Sequence, residues 1–309
     1  MKCVLHIGLE KTGTTSIQRA LSQNRATLNQ QGITLGWPEN LGNSRYLVAY
    51  FRQEPDDYWA SRGWQSSEDR LKRLQPLLTD LDEKIRGAAA WAEIMILSSE
   101  HFHSRLTDEN EIRALATFLR ERFEAITIVC FVRPQGSTVL SLYSTALRAG
   151  HAVTYRRFAK NMVHDRQYLD HGLTLNKWSE AFPGASISVK PYPLGTDQGR
   201  DIRQEFFEAI SMAHLFPALA LETERANAAL STPQQFFLLM VNLLAKHPLA
   251  TRITESRRAA LVRIIEGAKV LSLLPHRKKP AFAITEEFKE SNMQVANQFG
   301  INRDYWTEG

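Results

Sequence analysis

Cysteine is nearly absent: the 309 residues contain two, Cys3 and Cys130. Both sit inside apolar runs that read as strands, which excludes a disulfide framework and a cysteine-based zinc site and fits a reducing compartment. Long hydrophobic runs are missing too. The first eight residues break into charge and glycine after a handful of apolar positions, too short for a signal peptide or a membrane span. No internal repeat or low-complexity tract is visible. Neither sign of charge dominates, with 38 basic residues against 33 acidic ones and a net charge of +5. That modest excess suits anionic ligands, whereas the lack of a long basic arm argues against nucleic acid. Because 43% of the residues are apolar, the chain can bury a sizeable core, and disorder is excluded. A soluble, cytoplasmic protein is expected.

What is present is an alternation of strand-like and helical patterns. Short, partly β-branched apolar runs occur at Cys3–Ile7, Ile94–Leu97, Ile126–Val132 and Ile187–Val189. Between them, Thr14–Asn24, Glu109–Phe123 and Thr138–Arg148 repeat apolar residues at three- and four-residue steps. This order predicts a single α/β domain over residues 1–309, with three layers: a mostly parallel central sheet and helices on both faces. Ligands are then expected at the carboxyl ends of the strands. Residues 37–69, rich in Asn, Gly, Ser, Arg and aromatics without a sustained period, read as an irregular excursion on the substrate side. From about residue 232 the pattern is helical again, and the basic run Arg277-Lys278-Lys279 reads as a solvated loop.

The sharpest feature is Gly8-Leu9-Glu10-Lys11-Thr12-Gly13-Thr14-Thr15, between the first strand and the first amphipathic helix. A loop there aims backbone N–H groups and the positive end of a helix dipole at one point, making a site for a phosphate-like group. Gly8 and Gly13 have the spacing of a nucleotide P-loop, but Thr14-Thr15 replaces the Lys-Ser/Thr pair after the second glycine, and the lysine stands earlier, at position 11. That displacement weighs against an ordinary NTPase. A second anion site is expected where the Ile126–Val132 run ends in Arg133-Pro134. Arg133 offers a planar fork for phosphate oxygens, Ser137 is placed to cap the next helix, and Ser141 on that helix offers one more hydroxyl.

With both loops in place, the chain resembles the sulfotransferases that use 3′-phosphoadenosine 5′-phosphosulfate (PAPS), and within them the bacterial, carbohydrate-type branch. The family's Lys-x-Gly-Thr-Thr loop is matched by Lys11, Gly13, Thr14 and Thr15, and its later strand-end arginine with a serine eight residues on is matched by Arg133 and Ser141. The resemblance implies a P-loop-like sulfotransferase fold in which Lys11, Thr12, Gly13, Thr14 and Thr15 bind the 5′-phosphosulfate and Arg133 and Ser141 the 3′-phosphate. It also implies that Tyr192, Leu194 and the Arg225-Ala226-Asn227 segment approach the nucleotide.

Sulfuryl transfer needs charge neutralised on the leaving phosphate, a role for Lys11, and a base for the acceptor proton. The run Ser98-Ser99-Glu100-His101 after a strand resembles the bacterial form of the base site, which makes Glu100 the first candidate, His101 the second and Glu10 a third. Each has a plainer alternative: Glu100 as a cap or ion-pair partner, His101 as a local hydrogen-bonding residue, Glu10 as a charge partner, and His6 as a satisfied core histidine. No Asp/Glu/His set suggests a metal, and none is expected. A carbohydrate hydroxyl (or an amine) is the expected acceptor. The aromatics and arginines of residues 37–69 either stack on sugar faces and contact acidic groups or form a local aromatic subcore. Two other functions stay open: a P-loop kinase or phosphotransferase, and a non-catalytic module that binds the product adenosine 3′,5′-bisphosphate (PAP).

Overall fold

The computed structural model describes residues 1–194, 200–221, 229–246, 254–268 and 278–307. The chain divides into two compact units. One comprises Met1–Val132, His171–Glu224 and Val295–Ile301, the other Arg133–Asp170, Arg225–Gln294 and Asn302–Gly309.

The first unit carries a five-stranded sheet of β1 (Lys2–His6), β2 (Ile33–Leu35), β3 (Ile94–Ser98), β4 (Ile126–Val132) and β5 (Ser186–Pro191). Their order is β2-β3-β1-β4-β5, and every neighbouring pair is parallel. The α/β architecture read from the sequence is therefore present, a parallel sheet with helices around it. Strand β1 is central, with His6 opposite Ser98 of β3 and Val129 of β4. Cys3, Leu5, Met95, Ile96, Ile128 and Val129 are sealed from solvent, and burial on both faces is why these strands read as unbroken apolar runs rather than alternating ones. The Glu109–Arg120 helix starts where Asp108 accepts hydrogen bonds from the amides of Asn110 and Glu111. The Thr14–Gln23 helix packs on the Ile202–Ala209 helix, and Glu109–Arg120 packs on His171–Ala181.

Residues 37–69 depart from the irregular excursion expected of them. Arg45–Phe51 and Asp57–Ser61 are helical, and Asp56 caps the second through the amides of Tyr58 and Trp59. The first has no amphipathic period because Arg45, Tyr46, Leu47, Val48 and Ala49 are all buried in succession. Trp37, Tyr46 and Trp59 are buried, so these three belong to the core rather than to a stacking platform. Tyr58 and Trp64 keep half-buried rings, 5.5 Å apart edge to face.

Among its described residues the second unit contains helices joined by loops and no strand. Its core gathers Val139, Tyr143 and Leu147 of the Gln135–Arg148 helix with Leu238, Ile284 and Phe288. Gly136 lets the Lys278–Glu286 helix touch at backbone distance: a Cβ there would lie 1.8 Å from the Ala281 carbonyl oxygen. Gln135 and Asn292 exchange amide hydrogen bonds of 2.8 and 2.9 Å below that contact. Arg277 and the Arg225-Ala226-Asn227 segment lie outside the described residues.

Candidate functional site

The loop after β1 is built for close approach to an anion. Lys11 and Gly13 both adopt left-handed backbone, with φ of 68° and 78°. For lysine that conformation costs about 1 kcal/mol or more, a strain that persists where surrounding structure imposes it. Thr12 is fully buried and its hydroxyl donates to the Leu9 carbonyl at 2.6 Å, which closes the turn. Gly8 leaves room for the Thr14 hydroxyl, since a Cβ would lie 2.4 Å from Thr14 Oγ1. Over Gly13 pack Ile202 and the Tyr192 ring, 2.9 and 3.3 Å from where a Cβ would sit. Tyr192 is itself anchored by its amide on the Val132 carbonyl at 2.8 Å.

The Thr14–Gln23 helix begins at this loop with no side-chain cap and no acidic residue in its first turn. Its leading amides therefore present uncompensated positive charge. Thr14 Oγ1 is buried without a hydrogen-bond partner among the described residues, and Thr15 is exposed. An orphaned hydroxyl, an uncapped helix start and a lysine on the same loop fit a phosphosulfate group.

A second cluster forms where β3 ends. Gln18, one turn into the same helix, is buried and donates from Nε2 to both Ser98 Oγ (3.3 Å) and Glu100 Oε2 (3.2 Å). Ser98 Oγ also pairs with His6 Nδ1 at 2.9 Å, and its amide donates to Ser44 Oγ at 3.2 Å. Glu100 Oε1 lies 3.7 Å from His101 Nε2. Burial lowers the His101 pKa, and the Arg45 charge adds to this; Glu100 and Glu10 pull the other way without reversing it. His101 is therefore a neutral imidazole at pH 7. Glu100 and His101 are brought together, with Gln18 as the link to the anion loop. His6 is fully buried and satisfied only at Nδ1: its Nε2 has no partner among the described residues, and desolvation lowers its pKa to about 3.

Glu10 meets the charge partner expected of it, Arg105, at 4.0 Å. Arg105 in turn donates from Nε to Asp57 at 3.2 Å, and buried Arg45 binds Asp56 at 2.5 Å and Asp57 at 3.5 Å. Burial alone would raise the Asp57 carboxyl, but the Arg105 hydrogen bond and the charges of Arg105 and Arg45 hold it below the usual range. This network ties the start of the Asp57–Ser61 helix to the anion loop. Gln18, Ser44, Asp57 and Arg105 carry no clear sequence signal of the site, while Arg45, one of the arginines of residues 37–69 expected to contact acidic groups of an acceptor, is buried on Asp56 and Asp57 instead. The available signal was weak: Gln18 is a polar residue beside Ile17 and Leu21 on the buried side of a helix.

In the second unit, Arg133 Nε donates to Ser137 Oγ at 3.1 Å. Pro134, not Ser137, occupies the N-cap of the Gln135–Arg148 helix. The proline cannot donate a backbone hydrogen bond and its fixed φ suits a helix start, so Ser137 sits inside the first turn and takes the arginine instead. Ser141, four residues on, shares the helix face of Ser137 and is half-buried. Again the first turn carries no acidic residue.

Among the described residues no group of three or more His, Cys, Asp or Glu side chains is placed to hold a metal ion. No described helix is long and apolar enough to cross a membrane. No protein-family model matches the chain, and no curated protein matches it. Among solved structures, a sulfotransferase from Alicyclobacillus acidocaldarius is similar over 84% of this chain and 95% of that one, at 14% identity and a TM-score of 0.43.

Proposed function

We propose that the chain is a PAPS-dependent sulfotransferase that acts on a hydroxyl acceptor, of which a carbohydrate is the favoured class. One observation carries the reading: the loop after β1 combines strained Lys11, a Gly8 packed closely against Thr14 and the orphaned Thr14 hydroxyl at an uncapped helix start. Bound PAPS would supply an activated sulfuryl group on a phosphate leaving group. The amides of residues 11–15 and the Thr14 hydroxyl grip the phosphosulfate, and Lys11 neutralises the charge that gathers on the bridging oxygen as its bond to sulfur breaks. Glu100 takes the acceptor proton while the acceptor oxygen bonds to sulfur, leaving a sulfate ester and PAP. His101, neutral at pH 7, is the alternative base, and Glu10 the third. Arg133 and Ser141 bind the 3′-phosphate, a role supported by the Arg133 fork held at a helix start without acidic residues.

Support for a sugar acceptor narrows to Tyr58, Trp64 and Arg62. The two rings are half-buried, Arg62 is exposed with its guanidinium 4.2 Å from the Tyr58 ring centroid, and Asp57 beside them is tied through Arg105 to Glu10. Calorimetric titration with PAP, ATP and ADP tests the nucleotide assignment. PAP is expected to bind tightest, with Arg133→Ala weakening PAP by about tenfold or more and ADP far less. Preference for ATP with a magnesium requirement would reassign the chain as a phosphotransferase, and PAP binding without transfer of labelled sulfate to any acceptor would make it a binding module.

A further inference from the structure

The polar side chains beside Glu100 form one directed chain of hydrogen bonds. The parallel register sets His6, the last residue of β1, opposite Ser98, the last of β3, and the two fully buried side chains meet there. The direction is set at a backbone amide, which can only donate. Arg45 N donates to Asn43 Oδ1 at 2.9 Å, which leaves Asn43 Nδ2 to donate to Gln18 Oε1 at 3.5 Å. Gln18 Nε2 therefore faces the other way, and its two hydrogens go to Ser98 Oγ at 3.3 Å and Glu100 Oε2 at 3.2 Å. A reversed amide would set an oxygen against the carboxylate and a nitrogen against the Asn43 donor.

Because Ser98 Oγ accepts from Gln18, its own hydrogen points elsewhere. Among the described residues the other partner of that oxygen is His6 Nδ1, 2.9 Å away. Burial keeps the imidazole neutral, so one ring nitrogen carries a hydrogen and the other accepts. With the hydrogen on Nε2, Nδ1 takes the serine hydrogen, and a single buried N–H, at Nε2, lacks a partner among the described residues. With it on Nδ1, the serine hydrogen and the Nε2 lone pair are both stranded. One unmade buried bond costs less than two, so the ring is the Nε2–H tautomer.

We propose that His6, as the Nε2–H tautomer, and Ser98 are positioning residues that hold the Gln18 amide with its N–H towards Glu100. They act on the carboxylate only through Gln18. The role of Glu100 as base rests on the function proposed above; the order of the hydrogens does not. Without an acceptor at Nδ1 the serine hydrogen turns to Gln18 Oε1 and draws that oxygen towards Glu100.

The test is a pair of NMR measurements on the full chain at pH 7 without nucleotide. In protein labelled with ¹⁵N-histidine, the His6 ring, assigned by its absence from His6→Gln, is expected with its hydrogen on Nε2 and a bare Nδ1. The Gln18 side-chain amide, assigned by its absence from Gln18→Leu, is expected to exchange with water about tenfold faster in Ser98→Ala. His6→Phe, which keeps a ring against Phe131 and Phe206 and accepts nothing, should do the same. His6→Gln, whose amide oxygen can take the serine hydrogen, should restore the slow rate. Ser98→Ala removes a single oxygen and decides the matter if His6→Phe does not fold. A hydrogen on Nδ1 of the wild-type ring, or unchanged Gln18 exchange in Ser98→Ala, overturns the proposal. In transfer of labelled sulfate from PAPS, Ser98→Ala should lower kcat about tenfold and add nothing in the Gln18→Leu background. Losses that multiply to about a hundredfold would make the two residues independent and overturn it as well. Absence of PAP binding would sink the sulfotransferase reading alone, because neither NMR measurement uses the nucleotide.

Discussion

A carboxylate serves as a base when its charged form is held in place and a neutral neighbour does the holding. Glu100 has that arrangement, with the Gln18 amide on one oxygen and the His101 ring facing the other. Glu100→Gln keeps the shape and removes the proton acceptor, so transfer of labelled sulfate is expected to fall by about 10²–10⁴-fold with PAP affinity retained. Unchanged turnover would move the role to His101 or Glu10. Gln18 acts through Glu100 rather than on the acceptor. Gln18→Leu takes away the hydrogen bond that orients the Glu100 carboxylate, and kcat is expected to fall by about tenfold while the PAP titration stays the same. An unchanged kcat would leave Gln18 a packing residue. Glu100 was legible because it closes a Ser-Ser-Glu run at a strand end. Gln18 was not, because a single glutamine on an amphipathic helix has no signature until β3 is seen to end beside it.

At the scale of elements, two of the glycines at which a Cβ would be crowded, Gly8 and Gly136, separate the chemistry from the scaffold. Gly8→Ala drives a methyl into Thr14 Oγ1 and distorts the anion loop, so PAP affinity should drop more than stability does. Gly136→Ala meets the backbone of the Lys278–Glu286 helix, which a rotamer change cannot relieve. A loss of about 3 kcal/mol is expected, at the upper end for overpacking, read as a lower urea midpoint for the second unit. The same contrast explains which elements the sequence revealed. Strands β1, β3, β4 and β5 announce themselves as apolar runs bounded by polar residues, and the Glu109–Arg120 helix by its period. Strand β2 has only three residues, Ile33–Leu35, too few for any pattern. The Arg45–Phe51 helix is hidden because tertiary burial on all sides erases its amphipathic period.

At the scale of the whole molecule, the central strand of the sheet contains a titratable group in a place where it cannot be charged. His6 stands at the end of β1, sealed from solvent, with the Phe131 and Phe206 rings 6.0 and 5.3 Å from its own. Desolvation lowers its pKa to about 3 from the ordinary 6.5 of a histidine. Between those values the unfolded chain binds a proton that the folded chain refuses, so protonation favours unfolding. The stability that neutral His6 permits is complete above about pH 6.5 and is lost progressively as the pH falls towards 3, by a few kcal/mol in all. Carboxylates such as Asp57, whose pKa is lowered in the fold, add a loss of the same sign at lower pH. The histidine share is isolated by comparison. Thermal midpoints measured from pH 8 to pH 4.5 should fall for the wild-type chain, beginning near pH 6.5, while His6→Gln, which keeps a partner for Ser98 and cannot titrate, should show a flatter profile whatever its level at pH 8. Parallel profiles would mean that His6 gains a proton without opening the sheet, and that acid sensitivity resides in the carboxylates instead.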